Sequence, residues 1–419
     1  MTATASPLAR LPDDALVDAL QRAAFGYFER YVDAASGRVA DTSRAGSPTS
    51  IAVIGLSLSC LPIAVERGWM TRAVAVSRAL TTLRSLRPDH RGFFYHFLDM
   101  RTGQRMWSCE LSMIDTALLV AGVVTVGAYF HEGEIAELAD AIYRGVDWAW
   151  SQSETDTVAQ GWKPEYGFLH HGWEGYNEAL ILYVLGLGSP SKPLSDKTFG
   201  SWGRTYQWEN HGGIEVLYSG PLFTHLFSHA WIDFRGVRDA FMREKKTDYF
   251  ENTQRTIALH RRYAERNPRG FTGYQRDFWG VTAGDGPTVA DMRLEGRDQR
   301  FFGYMSRGIP YGPDDGTIGP WAPIACLPFD RDAALSATRH LLRTYPRACP
   351  RGRFISGLNP TLRKSGGWRS KGWYGLDQGM VAMMIENARS GLIWELFGSS
   401  PHVRRGLRRA GFRGGWLPR

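Results

Sequence analysis

The stretch GWEGYNEALILYVLGLG, from Gly172 to Gly188, decides the fold. Residues 179–187 are almost wholly apolar, and a helix that is apolar all round is buried on every side. Gly188 and Pro190 end this helix. Glu178, in the predicted first turn, is the exception, because a carboxylate rarely enters such surroundings unless it is paired or functional. If its neighbours desolvate it, its pKa rises and it can serve as a general acid; the alternative is that it only complements the helix dipole.

The composition indicates a globular protein with many aromatic side chains. Of the 419 residues, 43% are hydrophobic, which is enough for a sizeable core and excludes a disordered chain. Aromatic residues make up 13% and include 15 tryptophans. Tryptophan beyond the needs of packing often lines a cleft for sugars or other flat ligands, although an aromatic core is the competing explanation.

The charge and cysteine content argue against several classes of partner. The net charge is +8, but six arginines lie in the short segment 404–419, which we expect to be a solvated basic tail. The sequence contains no nucleic-acid module, and its four cysteines have neither CxxC nor zinc spacing. No P-loop, dinucleotide fingerprint or GxSxG elbow is found. We therefore predict no cofactor, no metal and no nucleic-acid partner.

Neither targeting nor membrane insertion is indicated by the sequence. The first 20 residues lack the apolar core of a signal peptide, which predicts a cytoplasmic protein, or a periplasmic or secreted one if a leader has been removed. The longest apolar run, 113–130, contains Asp115 and falls short of the roughly 20 residues that span a bilayer. We read it as a buried helix and leave the oligomeric state open.

Apolar and amphipathic helices alternate along the chain. Apolar helices are predicted at 49–65, from residue 111, and at 179–187; amphipathic ones are predicted at 12–32, 71–86, 133–150 and 248–266. A further pair is expected at 321–326 and 331–344, and a last long helix at 376–397. The alternation predicts an all-α toroid in which a ring of buried helices is wrapped by half-exposed ones. No linker divides the chain, so we expect one domain.

Several acids share the setting of Glu178, at the start of an apolar helix or in a glycine-rich loop. They are Glu110, Asp115, Asp285, Asp314, Asp315 and Asp377. If the inner helices start at one end of the ring, these side chains converge on one cavity. Two carboxyls across an aromatic-lined cavity are what glycoside hydrolysis needs, one to protonate the leaving oxygen and one to activate water. For each acid alone, helix capping is the simpler explanation.

His225 and His229, spaced i, i+4, could place two metal ligands on one helix face. No glutamate completes an HExxH motif and no third ligand is indicated. Polar contacts in a core or cleft are the better interpretation of this pair.

Several long motifs resemble the glycoamylase-like domain, whose members include the β-1,2-glucan hydrolases of glycoside hydrolase family 144 and parts of cyclic β-1,2-glucan synthases. They are RGFFYHFLDMRTGQR, CELSMIDTALLVAG, GWEGYNEALILYVLGLGSPSKP, PLFTHLFSHAWIDFRG, WGVTAGDGP, DDGTI and LDQGMVAMMIENARSGLIW. The resemblance implies an (α/α)6 toroid that hydrolyses β-1,2-glucan with inversion. It implies a catalytic domain at 24–400, preceded by an N-terminal extension at 1–23 and followed by the basic tail at 401–419.

Position by position, the resemblance implies roles for the acids. Glu178 in YNEA matches the essential glutamate, and Asp377 is the expected general base with Asp285 as the alternative. Glu110 is assigned to a second catalytic acidic region. The expected sugar contacts are Asp115, Trp173, Tyr176, Trp208, His229, Asp233, Arg235, Trp279, Asp285 and Asp315. The synthase relatives leave transglycosylation or cyclisation open, and a glucan-binding protein without catalysis is the alternative from another class.

Overall fold

The computed structural model describes residues 4–131, 133–152, 156–294, 296–362 and 367–417. Its α-helices are α1 Asp13–Arg30, α2 Ile51–Glu66, α3 Arg72–Ser85, α4 Met113–Tyr129, α5 Gly133–Gly145, α6 Leu180–Gly188, α7 Thr198–Gly203, α8 Ala240–Glu244, α9 Tyr249–Arg266, α10 Ala322–Ala325, α11 Arg331–Thr344, α12 Gly375–Arg389, α13 Leu392–Ser399 and α14 Pro401–Arg409.

The strands are short and lie in the connections between helices. They are β1 Thr49–Ser50, β2 Phe97–Leu98, β3 Leu111–Ser112, β4 Gly161–Lys163, β5 Gly167–Phe168, β6 Trp208–Asn210, β7 Glu215–Leu217, β8 Ala283–Gly284, β9 Ala290–Leu294, β10 Arg297–Phe301, β11 Met305–Ser306, β12 Leu358–Asn359 and β13 Trp368–Arg369. All pairings between them are antiparallel: β1 with β2, β3 with β4, β4 with β5, β6 with β7, β8 with β11, β9 with β10 and β12 with β13.

The helices form an (α/α)6 toroid, as predicted. The inner ring consists of α2, α4, α6, α10 and α12 together with two 3-10 turns at Leu222–His225 and Ser228–Ala230. Helix α4 contacts both α2 and α6, α10 contacts α12, and α12 closes the ring against α2. The outer helices α1, α3, α5, α9 and α11 pack on this ring through the apolar face of an amphipathic pattern. Almost every residue of α2, α4 and α6 is buried, which explains their unbroken apolar sequences.

Two predicted elements differ from the structure, and the segment 221–235, for which no element was predicted, forms short 3-10 turns. The last long helix is split into α12 and α13, because Gly391 adopts a left-handed conformation with φ of 74°. Glu178, which we expected in the first turn of this helix, lies outside it, because α6 begins at Leu180 and Glu178 is in the preceding turn.

The basic tail is not a solvated extension, contrary to our expectation. Its first part forms α14, which packs on α6, and Val403 and Leu407 are buried in that contact. A Cβ atom on Gly406 would lie 1.9 Å from the carbonyl oxygen of Val184, so the two helix backbones touch. The arginines that dominate the sequence here are therefore the exposed face of an amphipathic helix, and apolar residues form its inner face.

At the amino-terminal end of the inner ring, short strands join the starts of two helices. Strand β1 leads into α2 and pairs with β2, while β3 leads into α4. The backbone N–H of Ser112 donates to the carbonyl of Phe94, and that of Ile51 to the carbonyl of His96. These bonds place the segment 94–98 across the starts of α2 and α4. Among the described helices, none is long and apolar enough to cross a membrane.

Candidate active site

Carboxyl groups from distant parts of the chain meet at the end of the ring where the inner helices start. Asp115 and Asp377 are the third residues of α4 and α12, and Glu178 lies two residues before α6. Asp115 is close enough to raise the pKa of Glu178, and Asp285 is close enough to raise that of Asp377. The structure thus brings Glu178, Asp377, Asp115 and Asp285 together, as the sequence predicts.

His96 joins one of these acids, Asp115, to a fifth expected acid, Glu110. Its Nδ1 lies 2.9 Å from Oε1 of Glu110, and its Nε2 lies 3.5 Å from Oδ2 of Asp115. Burial opposes charging of the ring, but the carboxylates of Asp115, Glu110 and Asp41 outweigh it and raise the pKa of His96 to about 9. The protonated ring in turn lowers the pKa of Glu110. At neutral pH this part of the site therefore holds a carboxylate–imidazolium pair.

Glu178 is held by its backbone with its carboxyl free of any ion pair among the described residues. The backbone carbonyl accepts a hydrogen bond from Ser228 Oγ at 3.1 Å, and the next N–H, of Ala179, donates to Asn177 Oδ1. Burial, and then the negative charge of Asp115, raises the pKa of Glu178 to about 7. A glutamate with this pKa carries a proton in a large fraction of molecules at neutral pH, which is the property that a general acid needs.

Asp377 is the most enclosed acid of the group. It is only 6% exposed, and its Oδ2 has no hydrogen-bond partner among the described residues. Burial raises its pKa well above the ordinary value, a hydrogen bond with Ser356 opposes this, and the charges of Asp41 and Asp285 add to it. Its place in the first turn of α12 favours the ionised form. When ionised, Asp377 would be a strong base whose buried Oδ2 has no partner among the described residues.

Asp285 is fixed by two side chains from other loops. Tyr374 donates its hydroxyl to Oδ1 of Asp285 at 2.8 Å, and Arg44 forms an ion pair with Oδ2. Arg44 also donates to the hydroxyl of Tyr374 at 3.2 Å and to the carbonyl of Lys371 at 2.8 Å. This triad joins the loop before α2 to the loop before α12. The triad of Asp285, Tyr374 and Arg44 fixes Asp285 beside Asp377. Both oxygens of Asp285 are bonded, whereas Oδ2 of Asp377 has no partner among the described residues, and this difference favours Asp377 as the general base.

Asp41 is an acid that sequence reasoning missed. Its backbone carbonyl accepts the N–H of Gly375, the first residue of α12. Burial raises the pKa of Asp41 to about 6, His96 and Arg44 lower it, and Asp115 raises it. His96, Arg44 and Tyr374 were missed as well. Arg44 and Tyr374 lie in loops without a distinctive motif, and His96 lies within a quoted motif that does not mark its role. Contacts with the acids identify all three.

Two aromatic side chains at the acids are exposed and were also missed. Tyr304 is 65% exposed, yet burial of its hydroxyl and then the charges of Asp377 and Asp41 raise its pKa. A ring that is surrounded by protein and still reachable by solvent lies on the wall of a concave cleft. Trp107 is 66% exposed, and its ring lies 5.2 Å from that of Phe97, which stacks on His96.

The backbone around Trp107 is strained. Trp107 and Ser108 have φ of 54° and 47°, in the left-handed region that side chains other than glycine rarely adopt. Such conformations cost about 1–3 kcal/mol each and are retained where the surrounding structure requires them. Here the strain accompanies an exposed indole ring that packs on Phe97, the ring that stacks on His96.

Several residues that we expected to contact sugar are buried elsewhere. Asp315 is completely buried in an ion pair with Arg307, and Trp279 and His229 are 1% exposed. Tyr176 is 7% exposed and packs against the rings of His225, Tyr206 and Tyr249. The expectation of direct sugar contact is therefore not retained for these four. Their sequence patterns could not distinguish an aromatic or acidic core from a cleft.

Asp233 and Arg235 lie at the opposite end of the ring. They line a pocket of about 360 Å³ with Ser390 and Trp394, just beyond the end of α12. That helix has 15 residues, so Asp377 at its start is about 20 Å away. Asp233 pairs with Arg235, whose guanidinium lies 4.7 Å from the Trp394 ring. Trp173 and Trp208 are half-buried and pack against the hydrophobic core.

The histidine pair makes polar contacts instead of a metal site. His225 Nε2 lies 3.0 Å from the carbonyl of Ser219, and His229 Nε2 lies 3.2 Å from Thr253 Oγ1. Burial lowers the pKa of His225 to about 4 and that of His229 to about 3, so both are neutral. Among the residues that the structure describes, no group of histidine, cysteine and acidic side chains could hold a metal ion.

Known proteins match both the sequence and this fold. The model of the Glycoamylase family, described as "Putative glucoamylase", matches residues 170–401. The exo β-1,2-glucooligosaccharide sophorohydrolase (non-reducing end) of Parabacteroides distasonis is 28% identical over 455 residues. That match includes 98% of this chain but 59% of the relative, so the chain spans less than two-thirds of the relative's length.

Two crystal structures are similar over nearly the whole chain. The β-1,2-glucanase from Parabacteroides distasonis superposes with a TM-score of 0.83 and 25% identity, covering 96% of this chain and 60% of that one. The endo-β-1,2-glucanase from Chitinophaga pinensis, in complex with sophorotriose and glucose, has a TM-score of 0.85 and 23% identity, covering 96% and 99%. At that identity the second likeness shows the fold.

Proposed function

The chain belongs to the Glycoamylase family, and from this premise we propose that it is a glycoside hydrolase that cleaves β-1,2-glucan. The observation that carries the proposal is the convergence of Glu178 and Asp377 in a cleft with further acids and two exposed aromatic rings. The named activities of the sophorohydrolase and of the 25%-identical glucanase support the choice of linkage.

In the proposed mechanism Glu178 is the general acid. Its raised pKa lets it hold the proton that the departing oxygen needs, and it delivers this proton directly or through a hydroxyl of the substrate. Asp377 is the general base: its unpartnered Oδ2 takes a proton from water, which attacks the anomeric carbon from the opposite face of the sugar. One displacement on that carbon inverts its configuration. This geometry requires the two carboxyls to stand about 6.5–9.5 Å apart.

The other acids are proposed to bind and orient the substrate. Glu110, ionised beside His96, and Asp285, fixed by Tyr374 and Arg44, present carboxylate oxygens that accept hydrogen bonds from sugar hydroxyls. The exposed rings of Trp107 and Tyr304 offer apolar faces to the flat faces of glucose units. A carbohydrate chain is therefore the substrate class that fits this mixture of acids and aromatic rings best.

The test is reducing-sugar release from a panel of β-1,2-, β-1,3-, β-1,6- and α-linked glucans. We expect activity on linear or cyclic β-1,2-glucan, with a loss of about 10²–10⁴-fold in Glu178→Gln. Glu174→Gln is the matched control, because Glu174 lies four residues earlier on an exposed turn. A Glu178→Gln protein as active as the wild type would remove Glu178 from its role.

Product analysis distinguishes the competing functions. Inverting hydrolysis of a β-linkage gives new reducing ends that appear first as the α-anomer by NMR. Rings without reducing ends would indicate cyclisation, and tight glucan binding without turnover would indicate a binding protein. Asp377→Asn should abolish hydrolysis, and rescue by added azide would give an α-glycosyl azide if Asp377 is the base.

A further inference from the structure

A cavity lies beside the acids, not among them. It has a volume of about 1000 Å³ and is lined by residues of the β9–β10 hairpin, the segment 270–272 and the strand β13. Such a volume is at the upper end of the range for ligand-binding sites. None of the proposed acids lines it.

One face of the hairpin lines this cavity with two apolar and two polar side chains. In the register of β9 and β10, Leu294 is opposite Arg297 and Met292 is opposite Gln299, and all four line the cavity. The intervening residues, such as Arg293, are on the other face, because successive side chains of a strand alternate. The inward face of the hairpin thus covers a hollow instead of packing on the core.

The cavity begins within a short distance of Asp285, one of the acids proposed to bind the substrate. Pro287, on its wall, follows Asp285 by two residues, so their Cα atoms are at most about 7 Å apart. A Cβ atom on Gly357 would lie 2.4 Å from the carbonyl oxygen of Asp285 and 3.0 Å from the ring of Trp368. Trp368 is thus separated from the backbone of Asp285 by a single glycine.

The lining combines an aromatic ring with uncharged and cationic hydrogen-bonding groups. Trp368 is half-buried on β13, and Arg369 is the next residue. Gln299 Oε1 is buried and has no hydrogen-bond partner among the described residues. Thr272 and Thr288 add hydroxyls, and no carboxylate is present on the described walls. Sugar rings fit this lining, because their apolar face can stack on the Trp368 indole and their hydroxyls can donate hydrogen bonds to the unpartnered Oε1 of Gln299.

We propose that this cavity binds glucose units of the β-1,2-glucan chain that are remote from the bond being cleaved. The inference rests on the proposed function and adds to it: long chains engage both the acids and the cavity, whereas short oligosaccharides engage the acids alone. Binding energy from the remote units then lowers KM for long chains.

The test compares long linear β-1,2-glucan with a short β-1,2-linked oligosaccharide in wild type, Trp368→Ala, Arg297→Ala and Arg293→Ala. We expect Trp368→Ala and Arg297→Ala to raise KM for the long glucan about tenfold and to leave kcat/KM for the short one unchanged. Arg293→Ala, on the outer face of the same hairpin, is the matched control and should behave as wild type. Equal effects of the inward variants on long and short substrates, or no effect on either, would overturn the proposal.

Calorimetric binding of long glucan to the Glu178→Gln protein, with and without Trp368→Ala, separates this inference from the proposed function. If the wild type hydrolyses no glucan, the proposed function fails, while weaker glucan binding in the double variant still supports the cavity. If hydrolysis occurs and the double variant binds long glucan as tightly as the single one, the cavity proposal alone fails. Circular dichroism of each variant checks that the fold is retained.

Discussion

Nδ1 of His96 lies 2.9 Å from Oε1 of Glu110, and this contact places a positive ring in the middle of the acidic cluster. The same ring reaches Asp115, whose charge acts on Glu178. A group outside the proposed chemistry is therefore coupled to the proton affinity of the proposed acid. The first prediction depends on this coupling.

Replacing His96 by glutamine should move the basic limb of the activity profile to higher pH. The protonated ring offsets the charge of Asp115; without it, that charge stabilises the proton of Glu178 more strongly, and the pKa of Glu178 rises. The measurement is kcat/KM from pH 4 to 10 for both proteins. His340→Gln, on the outer helix α11, should leave the limb in place, and an unmoved limb in His96→Gln would contradict the coupling.

The wild-type protein should lose the proposed activity as the pH rises through about 7. A general acid works only while protonated, and burial together with Asp115 raises the pKa of Glu178 to about 7. The acidic limb should reflect ionisation of Asp377, whose pKa is also raised, so the profile is expected to be narrow. Glu174→Gln should reproduce the wild-type profile, and full activity persisting to pH 9 would count against Glu178 as the acid.

Tyr374→Phe should lower kcat/KM about tenfold without unfolding the protein. It removes the 2.8 Å hydrogen bond to Asp285 while the ion pair with Arg44 remains. A hydrogen bond to a charged group contributes about 1.5–3 kcal/mol, part of which solvent recovers in an open cleft. Steady-state kinetics and a melting curve measure the two effects. Tyr166→Phe, a change at an exposed residue, is the control. Unchanged kinetics in Tyr374→Phe would mean that its hydrogen bond to Asp285 is not needed for activity.

Asp315→Ala should destabilise the protein by about 3–5 kcal/mol, because it leaves the guanidinium of Arg307 buried without its partner. Both side chains are 0% exposed, with Nε of Arg307 2.7 Å from Oδ1 of Asp315. Urea unfolding gives the free energy. Asp291→Ala, in an exposed pair with Arg300, should change it by less than about 1 kcal/mol. Normal stability with impaired glucan binding would restore Asp315 as a sugar contact.

Gly406→Ala should destabilise the protein by about 1–3 kcal/mol, as overpacking does. Its new methyl group would meet the backbone of Val184, where α14 crosses α6. Gly200→Ala, on α7, has no atom within 4 Å of the added carbon and should be neutral or slightly stabilising. Thermal unfolding of the two variants measures the difference. Equal melting temperatures would mean that α14 does not pack on α6 in solution.

Much of the fold could be predicted because helix periodicity and burial are local properties of the sequence. The unbroken apolar residues of α2 and α4, and the amphipathic pattern of α9 and α11, identify inner and outer helices without any tertiary information. The place of Asp115 and Asp377 at helix starts follows from the same patterns. These two, with Glu178, Glu110 and Asp285, are the expected acids that the structure brings together.

The tertiary structure decided which polar and aromatic residues reach the cleft. Asp315 and Asp285 both lie in glycine-rich loops, yet one pairs with a buried arginine and the other faces the acids. No local pattern marks the roles of His96 and Tyr374, since these roles arise from contacts with other segments of the chain. The periodicity of a helix sequence predicts whether a side chain is buried. The charge state of that side chain depends on which other elements the fold places against it. The sequence by itself therefore determined the ring, and the packing of its loops determined the site.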